Sequence, residues 1–196
     1  ELICFSSKYF YNDGLQTIKV RAKDISEVIV FDQIEHDNLI DIRGNINVLE
    51  AEHIVKMLEN TLKSTDLMSV GIITPFRDQQ RYISALIDKS SKRNDIYSKL
   101  KIKVMTFDTC QGEERDHIIY SMVATKSRDV CNAVLGKNFD LSVTDVETSL
   151  RLQRLNVGMS RSKEKITFVI SKPIEEFKGN AQLILNHYAQ EIENAK

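Results

Sequence analysis

Five short apolar runs recur along the chain, at Val28–Asp32, Val70–Thr74, Ile102–Phe107, His117–Val123 and Lys165–Ser171. They are mostly unbroken rather than alternating, the pattern of strands covered on both faces. Between them lie longer stretches with apolar positions at helical spacing. In Leu49–Leu62 the residues Ala51, Ile54, Val55, Leu58 and Leu62 share one face. A second helix follows Pro75 with Ile83, Leu86 and Ile87 inward, and a third, after Gly179, aligns Ala181, Ile184, Leu185, Tyr188 and Ile192. These stripes read as core. Strands alternating with helices predict βαβ units, hence an α/β fold of three layers around a mostly parallel sheet.

Two segments interrupt the alternation. Asp88–Lys103 carries Lys89, Lys92, Arg93, Lys99, Lys101 and Lys103 against Asp88 and Asp95. It reads as a solvated connection, with a phosphate-facing edge as the sharper alternative. Lys126–Ser149 is polar, contains Gly136 and shows no period, so an insertion loop or lid is expected there. With 196 residues, 42% of them hydrophobic, one domain with one substantial core is expected over residues 1–196, ending in a C-terminal helix within residues 174–196.

Charge narrows the chemistry. The 27 Lys and Arg nearly cancel 28 Asp and Glu, so no global basic field exists and any nucleic-acid contact must come from local patches. No apolar run approaches the roughly 18 to 20 residues that span a bilayer. The three cysteines, Cys4, Cys110 and Cys131, are odd in number and widely spaced. That suits a reducing, cytoplasmic setting and no disulfide framework. The four histidines are scattered without ligand spacing, so no metal site is expected. The opening Glu1-Leu2-Ile3-Cys4-Phe5 lacks Met and reads as a cut inside a longer protein.

No G-x-x-x-x-G-K-[ST] phosphate cradle occurs, so the chain alone is not expected to hydrolyse a nucleotide. Asp32 closes an apolar run as a magnesium-binding aspartate would, but without that cradle it reads as a plain strand end.

Three segments carry denser chemistry. In Gly71-Ile72-Ile73-Thr74-Pro75-Phe76-Arg77-Asp78-Gln79-Gln80 a buried strand ends in a hydroxyl and opens a helix, whose free N–H groups suit an anionic backbone. Val104-Met105-Thr106-Phe107-Asp108-Thr109-Cys110-Gln111-Gly112-Glu113-Glu114-Arg115-Asp116 runs from strand to strand through a turn at Gly112, where a backbone N–H can approach phosphate. In Arg151-Leu152-Gln153-Arg154-Leu155-Asn156-Val157-Gly158-Met159-Ser160-Arg161, helical spacing puts Arg151, Arg154, Gly158 and Arg161 on one face. Gly158 within that stripe predicts a large group approaching closely.

In this order and spacing the three segments resemble motifs IV, V and VI of superfamily 1 helicases. The likeness is nearest to the branch of the nonsense-mediated-decay RNA helicase and its Dna2-like relatives. Asn47, Glu50 and Ala51 resemble that family's Asn-x-x-Glu-Ala helix, and Phe5 to Leu15 resembles the stretch after its Tyr-Arg element. The resemblance covers residues from the N-terminus to near Pro173.

It implies a RecA-like domain, the second motor domain of an ATP-dependent helicase. Its partners would be the N-terminal RecA-like domain of the same protein and single-stranded DNA or RNA. ATP and Mg2+ would be bound in the intact protein, mainly by that first domain, and no cofactor by this fragment alone. The isolated domain would be a monomer without membrane contact.

By the same resemblance Arg161 is the arginine finger. Gly112, Glu114 and Arg154 join it at the nucleotide, and Thr74, Pro75 and Thr106 line the strand.

Three departures are visible. The usual Ala-Leu-Thr-Arg-Ala reads Gly158-Met159-Ser160-Arg161-Ser162; Cys110 replaces a common Phe, predicting looser packing; and the long insertion leans towards bacterial members. The rival readings are an ATP-independent binding module with a degenerate RecA-like fold and a purely structural domain. Arg161 and Glu114 weigh against the first, since strand binding alone needs neither.

Overall fold

A computed structural model describes residues 2, 4–14, 24–35, 44–139, 142 and 146–195. Leu15, Lys196 and positions 140, 141 and 143–145 of the insertion lie outside the described residues. In chain order the elements are α1 (Cys4–Phe10), α2 (Ile25–Val28), β1 (Ile29–Gln33), α3 (Val48–Thr61), β2 (Val70–Thr74), α4 (Arg77–Lys89) and α5 (Arg93–Lys99). There follow β3 (Lys103–Thr106), β4 (Arg115–Ser121), α6 (Asn132–Leu135), α7 (Val146–Met159), β5 (Ser162–Ile170), a 3-10 turn at Ile174–Glu176 and α8 (Gly179–Asn194).

The five strands form one sheet in the order β1-β5-β4-β2-β3, and every pairing is parallel. Unbroken apolar strands become intelligible here, because successive side chains serve opposite faces. Ile73, Ile118, Tyr120 and Phe168 enter one core, with Phe5, Leu155, Ile184 and Tyr188 from α1, α7 and α8. Ile72, Ile119 and Val169 enter the other, with Ile54, Leu58, Ile83 and Ile87 from α3 and α4. The chain has the three-layer α/β architecture of a RecA-like domain.

Strand bounds shift for local reasons. β3 stops at Thr106 because the Thr109 hydroxyl accepts the Thr106 N–H at 2.9 Å and turns the chain. β4 begins two residues earlier than expected and stops at Ser121, before Val123 adopts a positive φ of 66°.

The connection at residues 88–103 contains α5, and its charges are partly paired. Arg93 meets Asp88 at 2.9 Å, Lys99 meets Asp95 at 3.3 Å and Lys103 meets Glu113 at 2.5 Å. It has the character of a solvated, ion-paired surface.

The insertion is not a bare loop in its described part. Cys131 and Leu135 are buried in the first core, and the Asn180 side chain donates to the Leu135 carbonyl at 2.7 Å. Lys172, 2% exposed, meets the Asp129 carboxylate at 3.1 Å and lies 4.5 Å from the Phe177 ring centre. A segment anchored in this way packs as part of the body of the domain.

Candidate nucleotide and nucleic-acid sites

The candidate residues fall into two groups at opposite ends of the sheet. Thr74 and Thr106 close β2 and β3 side by side, in register at the strand carboxyl ends. Glu114 and Arg161 lie at the other end, immediately before β4 and β5, while Asp108, Cys110 and Gly112 lie along the return from β3 and Arg154 on α7. That follows from topology: β3 and β4 are parallel, so residues 107–114 must return to the sheet's other end before β4 can start.

Arg161 is not a helical residue. α7 ends at Met159, and Arg161 immediately precedes β5. The stripe expected from Arg151 to Arg161 is therefore broken at its carboxyl end. The Arg161 guanidinium folds back over the last turn: its Nε donates to the Val157 carbonyl at 2.8 Å and an NH2 group to the Ser160 hydroxyl at 2.8 Å. A cation at a helix carboxyl terminus is favoured by the free carbonyls and the helix dipole. Its backbone carbonyl accepts the Arg115 N–H at 3.2 Å, which ties the turn to β4. The guanidinium also acts on the buried core beside it. Burial pushes the Cys110 thiol up to about 11, and Arg161 pulls in the opposite direction.

Gly158 differs from expectation more sharply. A Cβ there would lie 2.6 Å from Phe107 Cε1, and the residue is buried. Its missing side chain makes room for Phe107 of this same chain, not for an approaching ligand. Its carbonyl accepts the Tyr120 hydroxyl at 2.8 Å. Cys110 is also fully buried, with its thiol donating to the Phe107 carbonyl at 3.4 Å.

The remaining groups of this end are more open. Arg154 is exposed and its Nε meets Asp108 at 2.6 Å. Glu114 meets Lys163 at 3.4 Å, both about half exposed. Gly112 has φ 76° with no heavy atom within 4 Å of a built Cβ, so its backbone faces open space.

At the other end, Thr74, Pro75 and Thr106 are all buried. The Thr74 hydroxyl has no hydrogen-bond partner among the described residues, whereas that of Thr106 lies 3.2 Å from the Thr109 hydroxyl. Asp32 is engaged with His53 at 2.7 Å. That pairing fits a strand-end structural role better than metal ligation.

A buried polar cluster beside Thr74 has no counterpart in the sequence periodicity. Glu50, fully buried, accepts from the Ser121 hydroxyl at 2.7 Å, the Val123 N–H at 2.8 Å and the Ser171 hydroxyl at 3.0 Å. Burial pushes its carboxyl up to about 7 despite these three donors. Asn47 caps α3 by accepting the Glu50 N–H at 3.0 Å and donates to the Val123 carbonyl and the Ser171 hydroxyl. Gln79 accepts the Asn47 N–H at 2.9 Å and donates to the Ser121 hydroxyl at 3.0 Å. The cluster fixes the carboxyl ends of β4 and β5 relative to α3 and α4. Asn47 and Glu50 stand out in sequence only through the family resemblance.

Residues 1–173 match the profile of a family described as AAA domain. Among curated proteins the chain is 26% identical over 189 residues to an uncharacterized ATP-dependent helicase of Mycoplasma genitalium, covering 91% of this chain and 16% of that protein. It is 39% identical over 80 residues to regulator of nonsense transcripts 1 of Dictyostelium discoideum, covering 40% and 6%. With the DNA replication ATP-dependent helicase/nuclease DNA2 of Saccharomyces cerevisiae it shares 29% identity over 144 residues, covering 73% and 8%. The chain thus spans a small part of each relative's length. With most of its length matched, the chain belongs to the AAA domain family, in the branch of superfamily 1 helicases that these relatives represent.

Proposed function

We propose that this chain is the second motor domain of an ATP-dependent helicase, completing the ATP site and holding single-stranded nucleic acid. The observation that carries the reading is Arg161 immediately before β5, tied by its carbonyl to Arg115 of β4, with Glu114 next to that junction and the open Gly112 backbone two residues before Glu114. A fixed guanidinium beside unobstructed backbone N–H groups suits a transferring phosphoryl group, which needs charge neutralised in position. In this reading Arg161 leaves its rest on α7 to reach the γ-phosphate. Mg2+ and the phosphate cradle belong to the N-terminal partner domain, so the isolated chain turns over no ATP. Thr74, Pro75 and Thr106 serve the strand at the other end, where the buried, unpartnered Thr74 hydroxyl becomes a hydrogen-bonding group only once its cover opens. Contacts of that kind address the backbone and give little base specificity.

The test is Arg161→Ala in the intact protein. ATP turnover should fall by roughly 10³ to 10⁵. ATP binding should weaken far less, as for a contact made in the transition state. Arg161→Lys should rescue poorly, since a point charge lacks the planar fork. Arg154→Ala is the comparison. If it alone abolishes turnover, the finger is Arg154; if both variants hydrolyse ATP at the parent rate, the motor reading fails and an ATP-independent binding module replaces it.

A further inference from the structure

Where α1 packs against α8, three side chains that the sequence keeps apart come together. His187 and Glu191 are four residues apart on α8 and so lie one above the other on one face. Cys4, at the start of α1, faces them across the contact with its Sγ 3.1 Å from His187 Nε2. One ligand-type atom from each residue lies within 4.8 Å of the other two. In a tetrahedral zinc site with bonds of about 2.0 to 2.3 Å, ligand atoms stand roughly 3.3 to 3.8 Å apart. The Cys4–His187 pair already stands within a few tenths of an ångström of that spacing, and side-chain torsions suffice to adjust the third atom, on Glu191.

The surroundings favour such a site. His187 is 3% exposed and its ring is held by edge contacts with Phe5 at 5.6 Å, Tyr9 at 5.6 Å and Tyr188 at 5.4 Å. Its orientation is set before any ligand arrives. Cys4 and Glu191 are only partly buried, which leaves a route for an ion. Lys8 and Asp13, one of each sign, are the charged groups acting on His187, and their fields oppose one another.

We propose that Cys4, His187 and Glu191 form a divalent metal site of the zinc class that staples α1 to α8. A thiolate, an imidazole and a carboxylate match zinc, whereas calcium and magnesium take oxygen donors. The thiol proton passes to solvent as sulfur binds the ion. His187 carries its remaining proton on Nδ1 and presents Nε2. Cys4 and Glu191 together supply two negative charges, so the loaded site is neutral within this half-buried contact. One coordination position stays open to water.

Cobalt(II) tests this on the metal-free chain, because a thiolate ligand gives a charge-transfer band that oxygen and nitrogen donors do not. One equivalent should produce the band, and zinc should displace it. Cys4→Ser should lose the band while Cys110→Ala keeps it, and Glu191→Gln, at the rim where folding is least affected, should weaken binding on the order of tenfold. Zinc should also raise the melting temperature of the parent and not that of Cys4→Ser. Absence of the band, its persistence in Cys4→Ser, or an equal zinc effect on both melting temperatures would overturn the site and leave the pair as a thiol–imidazole hydrogen bond.

Discussion

Beside Gly158 the Phe107 ring occupies the volume a methyl group would need, and this gives the glycine a purely internal reason. Gly158→Ala should therefore cost about 1 to 3 kcal/mol in urea unfolding, the usual penalty of overpacking a core. Phe107→Leu in the same chain should recover part of that loss. The two changes should be non-additive by roughly 0.5 to 3 kcal/mol, as expected for residues in contact. Simple additivity would mean that the glycine serves something other than this ring. Arg161 illustrates a related point. Its resting hydrogen bonds to Val157 and Ser160 must be given up before the guanidinium can reach any phosphate.

The joints between elements depend on Glu50, which links α3 to the ends of β4 and β5. Its folded carboxyl keeps a proton up to about pH 7, against 4.5 for an ordinary one. Between those values the folded state binds more protons than the unfolded state, so stability falls as pH rises through this window and levels off above it. Glu50→Gln should remove that slope, a difference on the order of a few kcal/mol by pH 8. Denaturant titrations from pH 4 to pH 8 would show it; parallel profiles for parent and variant would refute it. His117 and His187 act in the opposite direction. Burial pushes them down to about 3 and about 4, so each loses stability as pH falls below about 6.5, equally in parent and variant. The apolar runs and helix stripes made these elements legible in the sequence, since burial on both faces leaves an uninterrupted signature. The junctions were not legible. Asn47 with Glu50, Gln79, Ser121 and Ser171 lie on four separate stretches, and no local pattern announces that they meet. Helical spacing likewise continues on paper past Met159, although the chain turns there and takes Arg161 out of the helix.

For the molecule as a whole, the parallel sheet places its first strand against its last. Ile29 pairs with Ile166, 137 positions later, so β1 has no neighbour until nearly the entire domain exists. A chain ending at residue 160 lacks β5, which bridges β1 and β4, and should show neither cooperative unfolding nor protease resistance. Native-like protection of β1 in that truncated chain would contradict this dependence. On a ribosome adding about 5 to 20 residues per second, β1 waits roughly 7 to 27 s for its partner. During that interval Ile29, Val30 and Phe31 form an unpaired, strand-prone segment, and long-range parallel pairing is intrinsically slow to close. The order of strands that builds the two edges of this domain thus also gives its synthesis a vulnerable period, when a holding chaperone on the emerging amino-terminal third would matter most.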